Sequence, residues 1–305
     1  MLQFTGRRLG FISLVSVAII FFVNLGMDMS RNSRVKNPSY DLVEYSQKAW
    51  SSTRSYVDGA LSGNLGTVNH NTLGRIPVWD LLLDSYFKSM GLLLISLFFA
   101  ALLGILLGVF AALLKNQQIL FAVLLFTILG VSMPSFFAGL LLQHGEILYF
   151  KTFGTQLVKT AGFGWDFQHL LMPVLVLMAR PLAYLTRSSF LSLNSVLDEN
   201  YIRTARSKGL PNSWIVYTHA LRNVAVPVLT AVGVSLRFSL STLPVVEFFF
   251  SWPGLGLRLV EAINAHQTNV VVTFALALGL TFLSINLLLD ITYQRIDPRL
   301  REISV

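Results

Sequence analysis

The stretch MGLLLISLFFAALLGILLGVFAALL, residues 90–114, decides the fold, because none of its side chains is charged and nearly all are apolar. A helix that crosses a lipid bilayer needs about 20 mostly apolar residues. The run at residues 119–142 follows after a short polar segment and is also free of charge. Two such runs in succession predict a pair of adjacent transmembrane helices.

Four further segments bring the predicted number of spans to six. Residues 9–27 and 270–289 are mostly apolar and uncharged. Residues 170–191 and 224–246 are apolar but interrupted by proline and arginine. Proline is tolerated in a membrane helix where neighbouring protein satisfies the freed carbonyls. We therefore expect these two helices in the interior of the bundle.

The bulk composition indicates a polytopic membrane protein. Hydrophobic residues make up 54% of the 305 residues and charged residues only 12%, whereas a soluble domain carries about 25% charged residues. The net charge of +8 does not indicate nucleic acid, because the basic residues sit beside apolar spans, as the positive-inside rule predicts. The chain has no cysteine, which excludes disulfides and thiolate metal sites.

The first apolar run follows Arg7 and Arg8, an arrangement that signal peptides share. It is longer than the 7–15 residues of a signal core, and no small-x-small cleavage site follows it. We therefore expect an uncleaved first transmembrane helix with its N-terminus in the cytoplasm.

Charge asymmetry sets the predicted orientation. The segments expected in the cytoplasm are the start, the turn with Lys115, residues 187–222, and the tail with Arg295, Arg299 and Arg301, so both termini are cytoplasmic. Residues 28–88, 143–168 and 247–269 are expected outside.

The predicted organisation has three parts: residues 1–28 with the first span, an extracytoplasmic loop at 29–88, and a five-helix core at 89–305. In the loop, residues 41–61 have the periodicity of an amphipathic helix, and the Gly- and Asn-rich residues 62–77 predict turns or extended chain.

Motifs for covalent chemistry are absent from the sequence. It contains no G-x-x-x-x-G-K-[ST] phosphate loop, no H-E-x-x-H metal motif and no nucleophile elbow. We predict no catalytic residue and no metal site. An ATP-independent secondary transporter, the main alternative, would carry paired acidic residues in mid-span and a repeated half, and neither is seen. A membrane-embedded enzyme is the third possibility, and an acid/base pair within the spans is lacking.

Three stretches carry a family resemblance: YIRTARSKGL (201–210), HALRNVAVPVLTAVG (219–233) and EFFFSWPGLGLRLVEAI (247–263). Together they resemble the permeases of peptide/nickel-type ABC importers, in particular the first of their two permease subunits. The resemblance covers nearly the whole chain and includes SGNLGT (62–67), SMPSFFAGLLL (132–142), LTRSSFL (185–191) and DPRLR (297–301).

The resemblance implies an all-α membrane protein with the type I ABC importer permease fold, six transmembrane helices and a cytoplasmic coupling helix. It implies a permease of the bacterial inner membrane that moves a peptide or related solute inward by alternating access. The implied partners are a second homologous permease, two ATPase subunits, an extracytoplasmic substrate-binding protein and the lipid bilayer, with no nucleic acid. No cofactor is expected in this chain, because ATP and Mg would belong to the partner subunits.

The resemblance places the coupling helix at residues 199–211, where it would sit in a cleft of the ATPase. Glu199 suits the positive end of the helix dipole, and Gly209 followed by Pro211 suits a helix C-terminus. The alternative is a basic cytoplasmic loop that only fixes topology. The predicted coupling residues are Glu199, Tyr201, Arg203, Thr204, Ala205, Arg206, Lys208 and Gly209.

The predicted pathway and gate combine unusual residues in the spans with the turn-rich SWPGLG stretch (251–256). A charge in mid-span is costly, so Arg237 is expected to face the pathway or to make a structural bond, and Arg180 beside Pro181 is expected to be structural. Trp252 suits the membrane interface, either in an outer gate or in a plain interfacial loop. The predicted residues are Ser132, Pro134, Arg237, Ser241, Glu247, Trp252, Pro253 and Gly254.

Overall fold

The computed structural model describes residues 2–32, 41–70, 74–114 and 116–296. Lys115 and the DPRLR motif, which entered the predictions above, lie outside these residues. The chain divides into two compact units, Met1–Met90 with Ser251–Leu288, and Gly91–Phe250 with Leu289–Val305.

The first unit contains α1 (Leu2–Asn32), α2 (Leu42–Leu61) and a hairpin of β1 (Thr67–His70) and β2 (Gly74–Pro77). It also contains the start of α3 (Val78–Leu114), all of α10 (Leu255–Asn264) and most of α11 (Thr268–Ile296). The strands pair antiparallel, with Thr67 opposite Pro77.

The segment between the first two spans has the structure that its local sequence predicts. The Asp41 carboxylate accepts hydrogen bonds from the backbone N–H groups of Val43 at 2.9 Å and Glu44 at 3.4 Å, which satisfies two orphan donors at the start of α2. The hairpin occupies the stretch predicted as turns or extended chain. The Tyr56 hydroxyl lies 2.8 Å from that of Thr273, and burial raises the pKa of Tyr56 while this hydrogen bond lowers it.

The second unit contains the rest of α3, then α4 (Gln117–Ser132), α5 (Ser135–Phe153), α6 (Phe167–Leu197) and α7 (Asn200–Ser207). A short turn, α8 (Asn212–Trp214), leads through a π-helical segment (Ile215–Ala220) into α9 (Leu221–Phe249).

Glycines bring α3 against α6. A Cβ at Gly104 would lie 2.9 Å from the Cβ of Leu185, and one at Gly108 would overlap the carbonyl oxygen of Thr186 and lie 2.8 Å from the Cβ of Ser189. Small residues permit this close approach of backbones in membrane helices, where van der Waals packing drives association. This contact fixes α6, which carries much of the site described below.

The proline-containing SMPS stretch (132–135) predicts a kink in the span at residues 119–142, and the structure has a sharp break at this place. The apolar run is broken between α4 and α5, whose axes differ by 103°. The cause is local: Pro134 has no N–H to donate and disfavours helical backbone at the preceding residue, and Met133 is extended, with φ −72° and ψ 123°.

Five helical stretches are long and apolar enough to cross a membrane: Gly6–Arg31, Val78–Leu114, Phe167–Leu197, Asn212–Phe249 and Thr268–Tyr293. The broken pair α4–α5 raises the number to as many as six. Among these spans, Phe167–Leu197 is the most enclosed, with 56% of its apolar window buried. This agrees with the expectation for that proline-containing span. The other one, Asn212–Phe249, is 33% buried, no more than Val78–Leu114 or Thr268–Tyr293, so the expectation of an interior position is not met for it.

Candidate functional site

Backbone geometry bounds α7 sharply at its C-terminus. Gly209 has φ 78°, its N–H donates to the carbonyl of Arg206 at 2.9 Å, and the N–H of Leu210 donates to that of Ala205 at 3.4 Å. These two bonds form a Schellman motif, in which a glycine in the left-handed region closes the helix. Gly209 is therefore the C′ residue that the sequence predicted.

One face of α7 is buried in the second unit. Ile202 is fully buried and Ala205 is 8% exposed, and both belong to an apolar cluster with Leu197, Ile215 and Val224. The spacing of three residues between Ile202 and Ala205 places both on the same helix face. Ala205, predicted as a coupling residue, therefore anchors the helix to its own chain.

The rest of α7 is exposed and basic. Tyr201, Arg203, Thr204 and Arg206 are exposed, as are Glu199 and Lys208 at the two ends. The Glu199 side chain makes no capping hydrogen bond, although its carbonyl accepts from the N–H groups of Ile202 and Arg203. The structure thus brings the predicted coupling residues, except Ala205, together on one exposed basic surface.

A side-chain hydrogen bond ties α7 to α9. The Asn223 amide donates to the Tyr201 hydroxyl at 2.7 Å and to the carbonyl of His219 at 3.2 Å. His219 lies in the π-helical segment, a type of irregularity that is frequent at functional sites. Sequence reasoning missed Asn223, because a pair separated by 22 residues gives no local signal.

Arg237 forms an ion pair, which agrees with the second of its two predicted roles, a structural bond. Its guanidinium lies 3.4 Å from the carboxylate of Asp290 in α11, and the two side chains are 35% and 24% exposed. In the same region the Tyr293 hydroxyl donates to the carbonyl of Thr230 at 3.1 Å. An ion pair within the spans neutralises a charge that would be costly alone, so the geometry favours the structural alternative for Arg237.

Most of the SWPGLG stretch is buried by protein, although Ser251 at its start is exposed. Trp252 is fully buried, and its indole N–H donates to the carbonyl of Lys88 at 3.1 Å. The N–H of Leu255, which follows Gly254, donates to the Ser89 hydroxyl at 2.7 Å. A tryptophan at the interface keeps its polar edge in water, whereas here protein satisfies it. Glu247, at the end of α9, is also fully buried.

A cavity of about 520 Å³, here called the α4–α6–α9 cavity, lies beside the broken span. The break contributes Met133, Pro134 and Ser135, and α6 contributes Arg180. From α9 come Phe238, Ser239 and Thr242. Of the predicted pathway residues, only Pro134 is in its wall; Ser132 and Ser241 lie next to wall residues, and Arg237 is not part of it.

Arg180 closes the broken helix α4. Its guanidinium donates to the carbonyl of Val131 at 3.1 Å, one of the last carbonyls of α4, which have no intrahelical donor. The guanidinium also lies 5.8 Å from the centre of the Phe238 ring. The sequence predicted a structural role for Arg180, and this hydrogen bond supplies one. The role of Phe238 and Ser239 carried no sequence signal.

Comparison with known proteins places the chain in a class. Residues 104–302 match the family described as the binding-protein-dependent transport system inner membrane component. The chain belongs to this family: it is a membrane permease subunit of an ABC transporter with the type I fold, and it is not itself an enzyme. The resemblance to the peptide/nickel-type permeases is confirmed, and the secondary-transporter alternative is set aside.

Individual relatives define the branch more closely. The glutathione transport system permease protein GsiC of Salmonella choleraesuis (strain SC-B67) is 34% identical over 250 residues, which are 81% of this chain and 78% of that protein. GsiC of Escherichia coli (strain K12) is 33% identical over 247 residues, again 81% of this chain and 78% of that protein. The family description implies a substrate-binding protein and ATPase subunits as partners, and the inner membrane as the location.

Proposed function

We propose that this chain moves a small peptide or a related solute inward, as one of a pair with a second homologous permease whose interface forms the pathway. Two ATPase subunits would bind beneath the pair of permeases, one of them holding the exposed basic face of α7 in a cleft. The binding protein would deliver solute from outside. Both termini would be cytoplasmic, residues 29–88 extracytoplasmic, and residues 89–305 the permease core. The names of the relatives support a peptide-class solute.

The geometry of α7 carries the coupling proposal. A helix of 8 residues that is closed by a Schellman motif and anchored by Ile202 and Ala205 is a rigid element with one free face. That face carries Arg203 and Arg206, which suit carboxylates on a partner. The alternative, a loop that only fixes the membrane topology, needs the basic charges. It does not need the Schellman motif or the buried side chains of Ile202 and Ala205.

Different observations support the different residues proposed for the pathway. Ser132, Pro134 and Ser241 lie at or next to the α4–α6–α9 cavity, which favours a role along the pathway. Glu247, Trp252, Pro253 and Gly254 are proposed as gate residues on the basis of their place at and just after the end of α9. Arg237 is proposed to stabilise the spans through Asp290 and not to contact solute.

The test is reconstitution of the complete complex in proteoliposomes, with its binding protein, using radiolabelled trialanine and glutathione as probes. Wild type should show ATP-dependent uptake and ATP hydrolysis stimulated by the loaded binding protein. Arg203→Glu should lower both by about tenfold or more, because it reverses a charge on the docking face. A tenfold loss corresponds to about 1.4 kcal/mol of binding free energy. Arg222→Glu, an exposed arginine outside α7, serves as the matched control.

Two results would count against the proposal. Equal loss in the Arg203→Glu and Arg222→Glu complexes would remove the special role of α7. If the wild-type complex takes up neither probe in the presence of ATP, the proposal of a peptide-class solute is refuted.

A further inference from the structure

Arg180 and Arg237 both lie within spans of the second unit, and the described residues give them different partners. Arg237 faces the Asp290 carboxylate. Arg180 makes one hydrogen bond, to a backbone carbonyl, and no ion pair to it occurs in the described part of the chain. A guanidinium has five N–H donors, so Arg180 retains both its full charge and free donors.

The free donors of Arg180 adjoin a cavity that is otherwise mostly apolar. Its walls include Val176, Leu177 and Phe136 as well as Arg180. Charges in such surroundings interact more strongly than in water, because the local dielectric constant is low. The volume of about 520 Å³ falls within the range of about 300–1,000 Å³ that small-molecule sites occupy.

A second polar group in the wall lacks a partner. Ser239 is 1% exposed, and its hydroxyl makes no hydrogen bond within residues 2–32, 41–70, 74–114 and 116–296. Other hydroxyls of α9 behave differently: Ser241 and Thr242 both donate to the carbonyl of Phe238. Buried hydroxyls nearly always have a partner, so an unpaired one in a cavity wall points to a group that is bound there.

We propose that the α4–α6–α9 cavity is an anion subsite that takes a carboxylate of the transported solute. Arg180 supplies the charge and a planar fork that matches a carboxylate, and Ser239 supplies a further donor. The identity of the anion as solute rests on the proposed function, whereas the anion selectivity of the cavity does not.

The position of Arg180 along α6 favours a solute carboxylate over a lipid phosphate as the bound anion. Arg180 lies near the middle of α6, a helix of 31 residues. It is therefore about 20 Å from either end at 1.5 Å per residue. Lipid headgroups lie about 15 Å from the midplane of a bilayer whose hydrocarbon core is about 30 Å thick. A phosphate at that level does not reach the guanidinium, but a solute crossing the membrane does.

The first test uses the absence of native cysteine. In the complete complex, Thr242→Cys places a thiol in the cavity wall and Ser241→Cys places one on the exposed neighbour outside it. Both are reacted with the anionic sulfonatoethyl and the cationic trimethylammonioethyl methanethiosulfonates, and labelling is read on this chain. The anionic-to-cationic rate ratio for Thr242→Cys should exceed that for Ser241→Cys by about tenfold, because Arg180 lines the same cavity and its charge favours the anionic reagent there.

Equal rate ratios in the two variants would overturn the proposal. Adding Arg180→Gln to Thr242→Cys should abolish the excess, and adding Arg180→Lys should retain it. The comparison of Thr242→Cys with Ser241→Cys decides the question even if the Arg180 variants fail to fold. Acetate should slow sulfonate labelling of Thr242→Cys at least twofold relative to the same concentration of acetamide; no difference would exclude a carboxylate site.

The second test connects the site with transport. Ser239→Ala removes a hydroxyl that no described residue bonds, so folding should be unaffected. It should raise the KM for uptake of trialanine at least threefold. If the wild-type complex takes up trialanine and the Ser239→Ala complex does so with the same KM, the anion bound in the cavity is not the transported solute. Absence of uptake in wild type would refute the proposed function instead, while the labelling result would still stand.

Discussion

Gly209 ends α7 through its backbone alone. A Cβ at this position would meet nothing within 4 Å, but φ is 78°, a region that β-branched side chains resist. We predict that Gly209→Val strains the helix end by roughly 1–3 kcal/mol. This should uncouple ATP hydrolysis from uptake in the reconstituted complex while the chain still reaches the membrane.

Two comparisons isolate the effect of that strain. Gly209→Asn should retain coupling, because asparagine tolerates the left-handed region. Gly154→Val imposes the same strain at the end of α5, where φ is 70° and the space is also open, and it should leave coupling intact. If Gly209→Val couples as well as wild type, α7 is not the coupling element.

The Arg237–Asp290 pair gives a second prediction for single residues. Arg237→Met removes the guanidinium that faces the Asp290 carboxylate and should destabilise the chain, because a charge within a span is costly when its counter-charge is lost. The loss should stay below about 3 kcal/mol, the lower limit for a fully buried pair, because both side chains are partly exposed. The measurements are the amount of chain in the membrane and its thermal unfolding midpoint.

The partner variant provides the control for this pair. Adding Asp290→Asn to Arg237→Met removes both charges and should recover most of the lost stability. A double variant as unstable as Arg237→Met alone, together with lost uptake, would instead support the pathway role that the sequence left open.

The range of an interaction along the chain decides whether sequence reveals it. The C′ role of Gly209 was predictable because a helix end is a local structure with a local signature. The partner of Arg237 was not predictable, since Asp290 is 53 residues away. The rule that a charge within a span needs a counter-charge does not say which carboxylate supplies it. The unpaired hydroxyl of Ser239 depends on the packing of three helices, which no pattern in α9 encodes.

At the scale of elements, the contact of α3 with α6 depends on glycine. Gly108→Ala would bring its Cβ into the Thr186 carbonyl and the Ser189 side chain, so the helices must separate. We predict a destabilisation of about 1–3 kcal/mol, as for other overpacked cores, measured by thermal unfolding of the purified complex.

A glycine in open space tests that explanation. Gly26→Ala in α1 meets nothing within 4 Å and should be neutral or stabilising by about 0.5–1 kcal/mol through helix propensity. Equal destabilisation by Gly26→Ala and Gly108→Ala would show that close helix packing is not the cause.

Elements with a local signature were predicted, and those that depend on context were not. The helix α2 and the hairpin follow from a cap, periodicity and turn residues. A kink at Pro134 was predictable from the SMPS stretch, but the size of the bend was not, because proline also occurs in unbroken membrane helices. The helix α10 was missed because its 10 residues are too few for a span and lie in a stretch that turn residues dominate.

At the scale of the whole molecule, the orientation in the membrane can be tested with single cysteines. Ser62→Cys follows α2 and Ser207→Cys ends α7, and both positions are exposed. From the charge asymmetry, a membrane-impermeant maleimide should label Ser62→Cys in intact cells and Ser207→Cys only after permeabilisation. The reverse pattern would invert the proposed topology and place α7 out of reach of the ATPases.

The hydrogen bond between Tyr201 and Asn223 has a mechanical consequence. Asn223 near one end of α9 and Ser239 in the cavity wall belong to the same helix, about 24 Å apart at 1.5 Å per residue. A helix shift of 1–2 Å, the usual size in switching proteins, is then a rotation of only about 2–5° over that length. Pro227 lies between the two points and removes one backbone hydrogen bond, which makes α9 more flexible near Asn223. The displacement that passes between α7 and the cavity therefore depends on the stiffness of the helix around Pro227.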